Sequence, residues 1–275
     1  MTASILLITT ANRFVHLTHE PRLNPGVRAC AHVENPAVSR GRTRVSVLGG
    51  AFNPVTNAHI SLAAEICRSD TTDEVWLCPC GPRPDKPEMA PSWQRYAMCE
   101  IAVHTAVSPG FPIKLTRHEA FHTKPMATYD SLRHLEKSHP GCSFSWVVGS
   151  DWLQPGNDLR TWESEEGRTG DKLVAEFDFL VLRRPGYPVE NIHLFGPRMR
   201  WIDLPHGFTM VESSCSSTEV RKRAQHDWRV DPHFGNMLQS VEGLVPAAVV
   251  SYMWRHQLYR GTTSSTINDL RPSKD

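Results

Sequence analysis

The chain has 275 residues, 40 % of them hydrophobic and 21 % charged, and a formal net charge of +1. That is an ordinary globular composition, enough for one large α/β domain or two small ones. It excludes the strongly basic balance of a general nucleic-acid or membrane-surface binder, and no apolar run approaches the ~20 residues of a membrane-spanning helix. Seven cysteines without a C-x-x-C pair, Cys78-Pro79-Cys80 being the nearest, read as free thiols of a reduced intracellular protein.

Residues 1–43 read as an extension, with an apolar run at 4–8 and then a Pro- and Arg-bearing stretch whose acids are Glu20 and Glu34. Such an acid-poor stretch is compatible with organellar import. The plainer reading is a disordered or loosely docked appendage on a cytoplasmic or nuclear protein. Residues 45–48 then form a buried strand, followed by Gly49 and Gly50, where backbone can turn sharply or approach a ligand. Phe52-Asn53-Pro54 makes a rigid turn, and Thr56 or Asn57 caps a helix carrying Ile60, Ala63, Ala64 and Cys67 at helical spacing, with Leu62 and Ile66 beside them. The unit is strand, Gly-rich turn, helix, and its helix N-terminus suits a phosphate. Neither G-x-G-x-x-G nor G-x-x-x-x-G-K-[ST] is present, so the dinucleotide fingerprint and the P-loop do not apply. His59 lies in the first helical turn. On these residues alone, a phosphate-facing histidine and a packed or capping histidine stand equal.

A second strand is predicted over 73–78, followed by a Pro-stiffened loop, 81–87, in which Arg83 and Lys86 can reach an anion at the strand's C-terminal end. Of these, Lys86 is the preferred candidate. Ser92 is expected to cap a helix through 107, and a short strand covers 111–115. His118-Glu119-Ala120-Phe121-His122 is a literal H-E-x-x-H, which in zinc proteases sits on a long helix. Pro112 and Pro125 with strand-like residues between them forbid that helix, and the zinc reading is rejected. A helix opens at Thr128. A strand over 144–148 ends in Gly149-Ser150-Asp151, where a carboxylate can accept from ribose hydroxyls or cap a helix. In the polar stretch 154–172, Trp162 either pins the loop or stacks on a ligand ring. Strands follow at 177–182, ending in Arg183-Arg184-Pro185-Gly186, and at 199–204. Ser216 and Glu219 then form a capping box before a helix whose start carries hydroxyls, Arg221, Lys222 and Arg223, a second phosphate site on physical grounds. Pro246 opens a last helix over 247–259, with Val249, Val250, Met253 and Leu258 as its apolar face, and residues 260–275 form a polar tail expected to be disordered. Strands alternating with helices argue an α/β fold with a doubly wound, mostly parallel sheet and ligands at the strands' carboxyl ends.

Gly50-Ala51-Phe52-Asn53-Pro54-Val55-Thr56-Asn57-Ala58-His59 fits G-x-F-x-P-x-[HT]-x-x-H, and Cys215-Ser216-Ser217-Thr218 with Arg221 is similar to Ile-Ser-Ser-Thr-x-x-Arg. About four strands separate the two. On these stretches the chain resembles the nicotinamide/nicotinate mononucleotide adenylyltransferases of the nucleotidyltransferase superfamily, with Thr56-Asn57-Ala58-His59 as the eukaryotic-type variant. Ala51 departs from the family's frequent Ser or Thr, and Cys215 from Ile. The resemblance spans residues 44–259, the expected transferase domain, and implies a Rossmann-like nucleotidyltransferase fold. It further implies that ATP and nicotinamide or nicotinate mononucleotide are joined with release of pyrophosphate. His59 and Arg221 are the implied catalytic residues. Gly50, Ala51, Phe52, His59, Gly149, Asp151, Ser217, Thr218 and Arg221 would surround ATP. Ala51, Phe52, Lys86, Thr128, Trp162 and Arg184 would surround the mononucleotide. Mg²⁺ would ride on the ATP phosphates with no ligand from the protein. No nucleic-acid or membrane partner is implied, and a homo-oligomer is expected. A sister transferase using CTP or another phosphate acceptor is the nearest alternative, and a non-catalytic, chaperone-like nucleotide-binding member the alternative of another class.

Overall fold

The computed structural model describes residues 41–164, 167–210, 215–230 and 238–260. The expected N-terminal extension up to residue 40 and the tail from residue 261 lie outside the described residues. Strands β1 (Thr43–Gly50), β2 (Glu74–Pro79), β3 (Ile113–Leu115), β4 (Cys142–Gly149), β5 (Asp178–Leu182) and β6 (Met199–Trp201) form one six-stranded sheet. The pairing is parallel throughout, and the spatial order is 3-2-1-4-5-6. This is a doubly wound sheet in two halves, and the strand order reverses between β1 and β4.

Both faces of the sheet are covered, so the strands are apolar on both sides. Alternation along β1 and β2 sends Leu48, Val75 and Leu77 to one core and Val45, Val47, Trp76 and Cys78 to the other. The first core is closed by α1 (Asn57–Arg68), α2 (Ser92–Ala106), α5 (Ser217–Val230) and α6 (Ala247–Arg255), through residues such as Ile66, Met98, Trp228 and Met253. The second is closed by α3 (Thr128–Ser138) and α4 (Gly170–Glu176), through Leu132, Leu135, Leu173 and Val174. No helix among the described residues is long and apolar enough to cross a membrane.

Several expected boundaries shift. The strand expected over 111–115 shortens to three residues, Ile113–Leu115, and that over 199–204 to Met199–Trp201. Ser92 does not cap α2. Pro91 precedes the helix, and the Ser92 hydroxyl donates to the carbonyl of Ala120. The last helix stops at Arg255, and the chain then turns through Gln257 and Tyr259, both with positive φ. Five strands of the sheet, β2 to β6, separate the two motif stretches, not four.

Candidate active site

The turn after β1 lies at the point where the strand order reverses. Gly49 is required there because the Trp146 indole lies where a side chain would begin. Phe52, buried at 2 % exposure, has φ +45, a left-handed conformation disfavoured for a bulky residue. Thr56, at the N-cap, opens α1. The Nδ1 of His59 accepts from the Thr56 backbone N–H at 3.0 Å and lies 2.8 Å from the Thr56 hydroxyl. That contact keeps Nδ1 unprotonated, so the neutral ring carries its proton on Nε2. Burial, and then the nearby Arg184 guanidinium, pull the His59 pKa down from 6.5 to about 4. His59 is therefore a neutral hydrogen-bond donor at neutral pH.

Helix α5 closes on the same turn from the other side. The Ser217 hydroxyl donates to the Pro54 carbonyl at 2.8 Å, and Arg221 Nη1 donates to the Asn53 carbonyl at 2.8 Å. Arg221 Nη2 reaches the Thr218 hydroxyl at 3.2 Å. The expected capping box is half-formed. Ser216 Oγ accepts from the Glu219 N–H at 3.2 Å, but the Glu219 carboxylate pairs with Arg223 at 2.8 Å instead of returning to the cap. His59, Ser217, Thr218 and Arg221 thus gather around residues 53–56, although 158 positions separate His59 from Ser217 in the chain.

Beside this cluster, a cavity of about 340 Å³ opens between the ends of β1 and β4. Gly49, Gly50 and Ala51 form one wall, and Gly149 and Arg184 another. A side chain at Gly149 would collide with the Asp151 carboxylate and the Arg184 guanidinium, which pair with each other at 3.1 Å. Asp151 sits inside a short 3-10 turn, Ser150–Trp152, with Gly149 at the cap position, so it does not cap a helix. Thr128, at the start of α3, lines the cavity. So do three indoles, Trp146, Trp152 and Trp162. Trp152 meets Trp162 edge to face, with ring centroids 5.0 Å apart. Of the two loop cations, Arg83 lines the cavity, held by both Asp85 carboxylate oxygens at 2.7 and 2.6 Å, whereas Lys86 is exposed outside the lining. The cavity lining thus includes Arg83 and not the preferred Lys86, although both side chains are exposed.

The H-E-x-x-H stretch is a turn between β3 and α3, not a helix. His122 is exposed and accepts from the Lys124 N–H at 3.3 Å. His118 and Glu119 nevertheless converge with Cys78, their ligand atoms within 4.8 Å of one another. The Ser131 hydroxyl occupies the middle of this group, 2.6 Å from His118 Nε2 and 2.5 Å from Glu119 Oε1. The Cys78 thiol donates to the same carboxylate oxygen at 3.4 Å, and the Thr116 hydroxyl lies 2.9 Å from His118 Nδ1. The network is closed upon itself: each polar group has a partner without an ion. Burial raises the pKa of Glu119 and of Cys78 and lowers that of His118 to about 4, working against the charged form of each.

Trp146, Trp152 and the buried Arg95 were not singled out by the sequence. Trp146 reads as an ordinary apolar strand residue and Arg95 as an ordinary helix cation. Only the Trp152 position, one residue past Gly149-Ser150-Asp151, carried a usable signal.

The family described as cytidylyltransferase-like matches residues 47–223, and the chain belongs to that family as a nucleotidyltransferase. A probable nicotinate-nucleotide adenylyltransferase of Leifsonia xyli subsp. xyli is 28 % identical over 221 residues, covering 80 % of this chain and 96 % of the relative. Another, from Tropheryma whipplei, is 29 % identical over 213 residues, covering 78 % and 98 %. The nicotinic acid mononucleotide adenylyltransferase of Plasmodium falciparum, solved in complex with NaAD, superposes with a TM-score of 0.62 at 25 % identity, over 79 % of this chain and 98 % of that one.

Proposed function

We propose that the protein joins ATP to nicotinate mononucleotide, giving the dinucleotide and pyrophosphate, with nicotinamide mononucleotide as the alternative acceptor. The observation that carries this reading is the meeting of two phosphate-type helix starts on one turn, with Arg221 and Ser217 bonded to the carbonyls of Asn53 and Pro54 beside His59. The names of the similar adenylyltransferases favour the acid over the amide. The eukaryotic-type reading of Thr56-Asn57-Ala58-His59 favours neither.

A mononucleotide phosphate oxygen attacks the α-phosphorus of ATP in line, and the bond from that phosphorus to the β-phosphate oxygen breaks. No nucleophile from the protein is needed, so positioning and charge stabilisation supply the rate. His59 Nε2–H donates to the α-phosphate oxygens as negative charge builds. Being neutral, it gives up no proton and forms no tight ground-state ion pair. Arg221, Ser217 and Thr218, at a helix N-terminus, hold the β- and γ-phosphates. The three indoles and Thr128 receive the mononucleotide, with Trp162 against the pyridine ring. Asp151 accepts from a ribose hydroxyl.

ATP enters as its Mg²⁺ complex. Mg²⁺ takes oxygen ligands in octahedral geometry. Among the described residues the one grouping of metal-ligand type is Cys78, His118 and Glu119, whose thiol and imidazole suit it poorly. The ion is assigned to the phosphates, where it offsets their charge. The test is to incubate the purified protein with MgATP and each mononucleotide and to assay dinucleotide and pyrophosphate together. Equal amounts of the two products are expected with nicotinate mononucleotide. Pyrophosphate release only with a different phosphate acceptor would replace this reading by that of a sister transferase.

A further inference from the structure

The turn that joins the two halves of the site is gripped by its carbonyl oxygens. The Ala51 carbonyl accepts from Arg95 Nη1 at 2.6 Å, Asn53 from Arg221 at 2.8 Å, and Pro54 from Ser217 at 2.8 Å. The Asn53 side-chain oxygen accepts from the Tyr259 hydroxyl at 2.9 Å and from the Ala90 N–H at 3.2 Å. Among the described residues, the N–H groups of Ala51, Phe52 and Asn53 meet no acceptor. Acceptors engaged on one side with donors left over is the arrangement of an anion-binding backbone concavity.

Two of the gripping groups come from outside both recognised motifs. Arg95, on α2, is 1 % exposed, and its oxygen partners are the carbonyls of Ala51, Cys80, Gly81 and Ala90, with no carboxylate among them. A buried guanidinium costs several kcal/mol to desolvate and is retained only when well hydrogen-bonded. Here it places a positive charge directly behind the turn, with the buried Glu119 within electrostatic reach. Tyr259 follows the last helix, 206 residues from Asn53, with φ +62 and its hydroxyl buried. Phe52 at φ +45 is likewise a conformation that persists only when its surroundings over-determine it.

We propose that Arg95 and Tyr259 are positioning residues of the transfer reaction. They fix the carbonyl side of residues 51–54, so that the opposite N–H groups are preset for a phosphate before it arrives. The proposal rests on the adenylyl transfer proposed above. Arg95 ties the turn to the loop after β2, and Tyr259 ties it to the C-terminal segment.

The test compares wild-type protein with Tyr259→Phe, which keeps the ring and removes one hydroxyl, and with Arg95→Lys, which keeps the charge and loses the fork of donors. Tyr259→Phe should lower kcat/KM for ATP about five- to tenfold, the range for one lost hydrogen bond acting on alignment, mainly through kcat. Arg95→Lys should lower it more, by about 10²-fold, because a single ammonium cannot span four carbonyls. In parallel, hydrogen–deuterium exchange over residues 49–57 should quicken in Tyr259→Phe while the sheet keeps its protection. A Tyr259→Phe protein with a lowered melting temperature, kcat/KM within about twofold of wild type and unchanged exchange in that segment would show a merely structural tyrosine and overturn the proposal. Arg95→Lys that fails to fold leaves the decision with Tyr259→Phe. Wild-type protein that makes no dinucleotide sinks the transfer reading, and exchange in the segment still decides whether Tyr259 presets the turn.

Discussion

The two halves of the site are built differently. Around residues 51–59 the carbonyls of Ala51, Asn53 and Pro54 and the side chains of Asn53, Thr56 and His59 are held by directional bonds, and the N–H groups of residues 51–53 are left to a ligand. His59 is bonded to Thr56, Arg221 and Ser217 to the turn's carbonyls, and Asn53 to Tyr259. The ring side, by contrast, is walled by Trp146, Trp152 and Trp162 on a strand end and an irregular segment, with one edge-to-face contact between two of them. Directional bonds fix atoms to within fractions of an ångström, as charge stabilisation at a reacting phosphorus demands. Aromatic faces supply area and tolerate small displacements, which suffices for holding a planar ring. The contrast implies that damage on the first side is read in kcat and on the second in KM.

The largest expected effect is at His59. In the proposed transfer its donor acts where negative charge grows, so His59→Ala should cut kcat by roughly 10²–10³-fold, with little change in ATP affinity. Steady-state kinetics on a variant with wild-type circular dichroism checks this. Near-wild-type turnover would erase the distinction between the halves. On the ring side, Trp162→Ala should raise KM for the mononucleotide about ten- to a hundredfold, the worth of one stacking contact, and that for ATP far less. Equal rises for both substrates would make Trp162 a loop anchor.

A smaller effect concerns pH. His59 and His118 both have pKa values near 4 in the folded chain, against 6.5 ordinarily. As pH falls, the unfolded chain takes up these protons first, so their contribution to stability is intact above about 6.5 and is lost progressively toward 4. The buried Glu119, whose pKa is raised, acts in the opposite sense. Melting temperatures should therefore fall from pH 7 to pH 4.5, and less steeply in His118→Asn. An unchanged slope in that variant would remove His118 from the acid response. The same histidine gives the smallest expected effect. Because Ser131 already fills the centre of the Cys78, His118 and Glu119 group, a zinc-selective chelator should alter neither melting temperature nor turnover. One tightly held zinc per chain, by elemental analysis, would contradict that.

The contrast also governs what could be read in advance. The strand-turn-helix at 45–68 and the start of α5 are contiguous, and glycines, caps and periodicity act over a few residues, so both were legible and so was the parallel sheet. The ring side depends on how residues 150–172 fold. They form two 3-10 turns and two hairpins of two-residue strands that no short-range pattern announced. Spacing in the Pro-rich loop 81–87 does not say which cation borders the cavity, and the lining holds Arg83 where Lys86 was preferred. Arg95 was invisible because its burial is set by the carbonyl-bearing loops after β1 and β2, while its local sequence is that of any helix cation.

The division between the halves is tested most directly by kcat/KM for the mononucleotide in wild type, His59→Ala, Trp162→Ala and the double variant. The two side chains share no hydrogen-bonding or ring partner, His59 meeting Thr56 and Phe52 and Trp162 meeting Trp152, and in the proposed reaction they act on different parts of the substrates. Their fold-losses should therefore multiply, the double variant matching the product to within about a factor of two. A double variant no slower than His59→Ala alone would mean that the tryptophan works through the histidine, and that chemistry and recognition are not separate in this site.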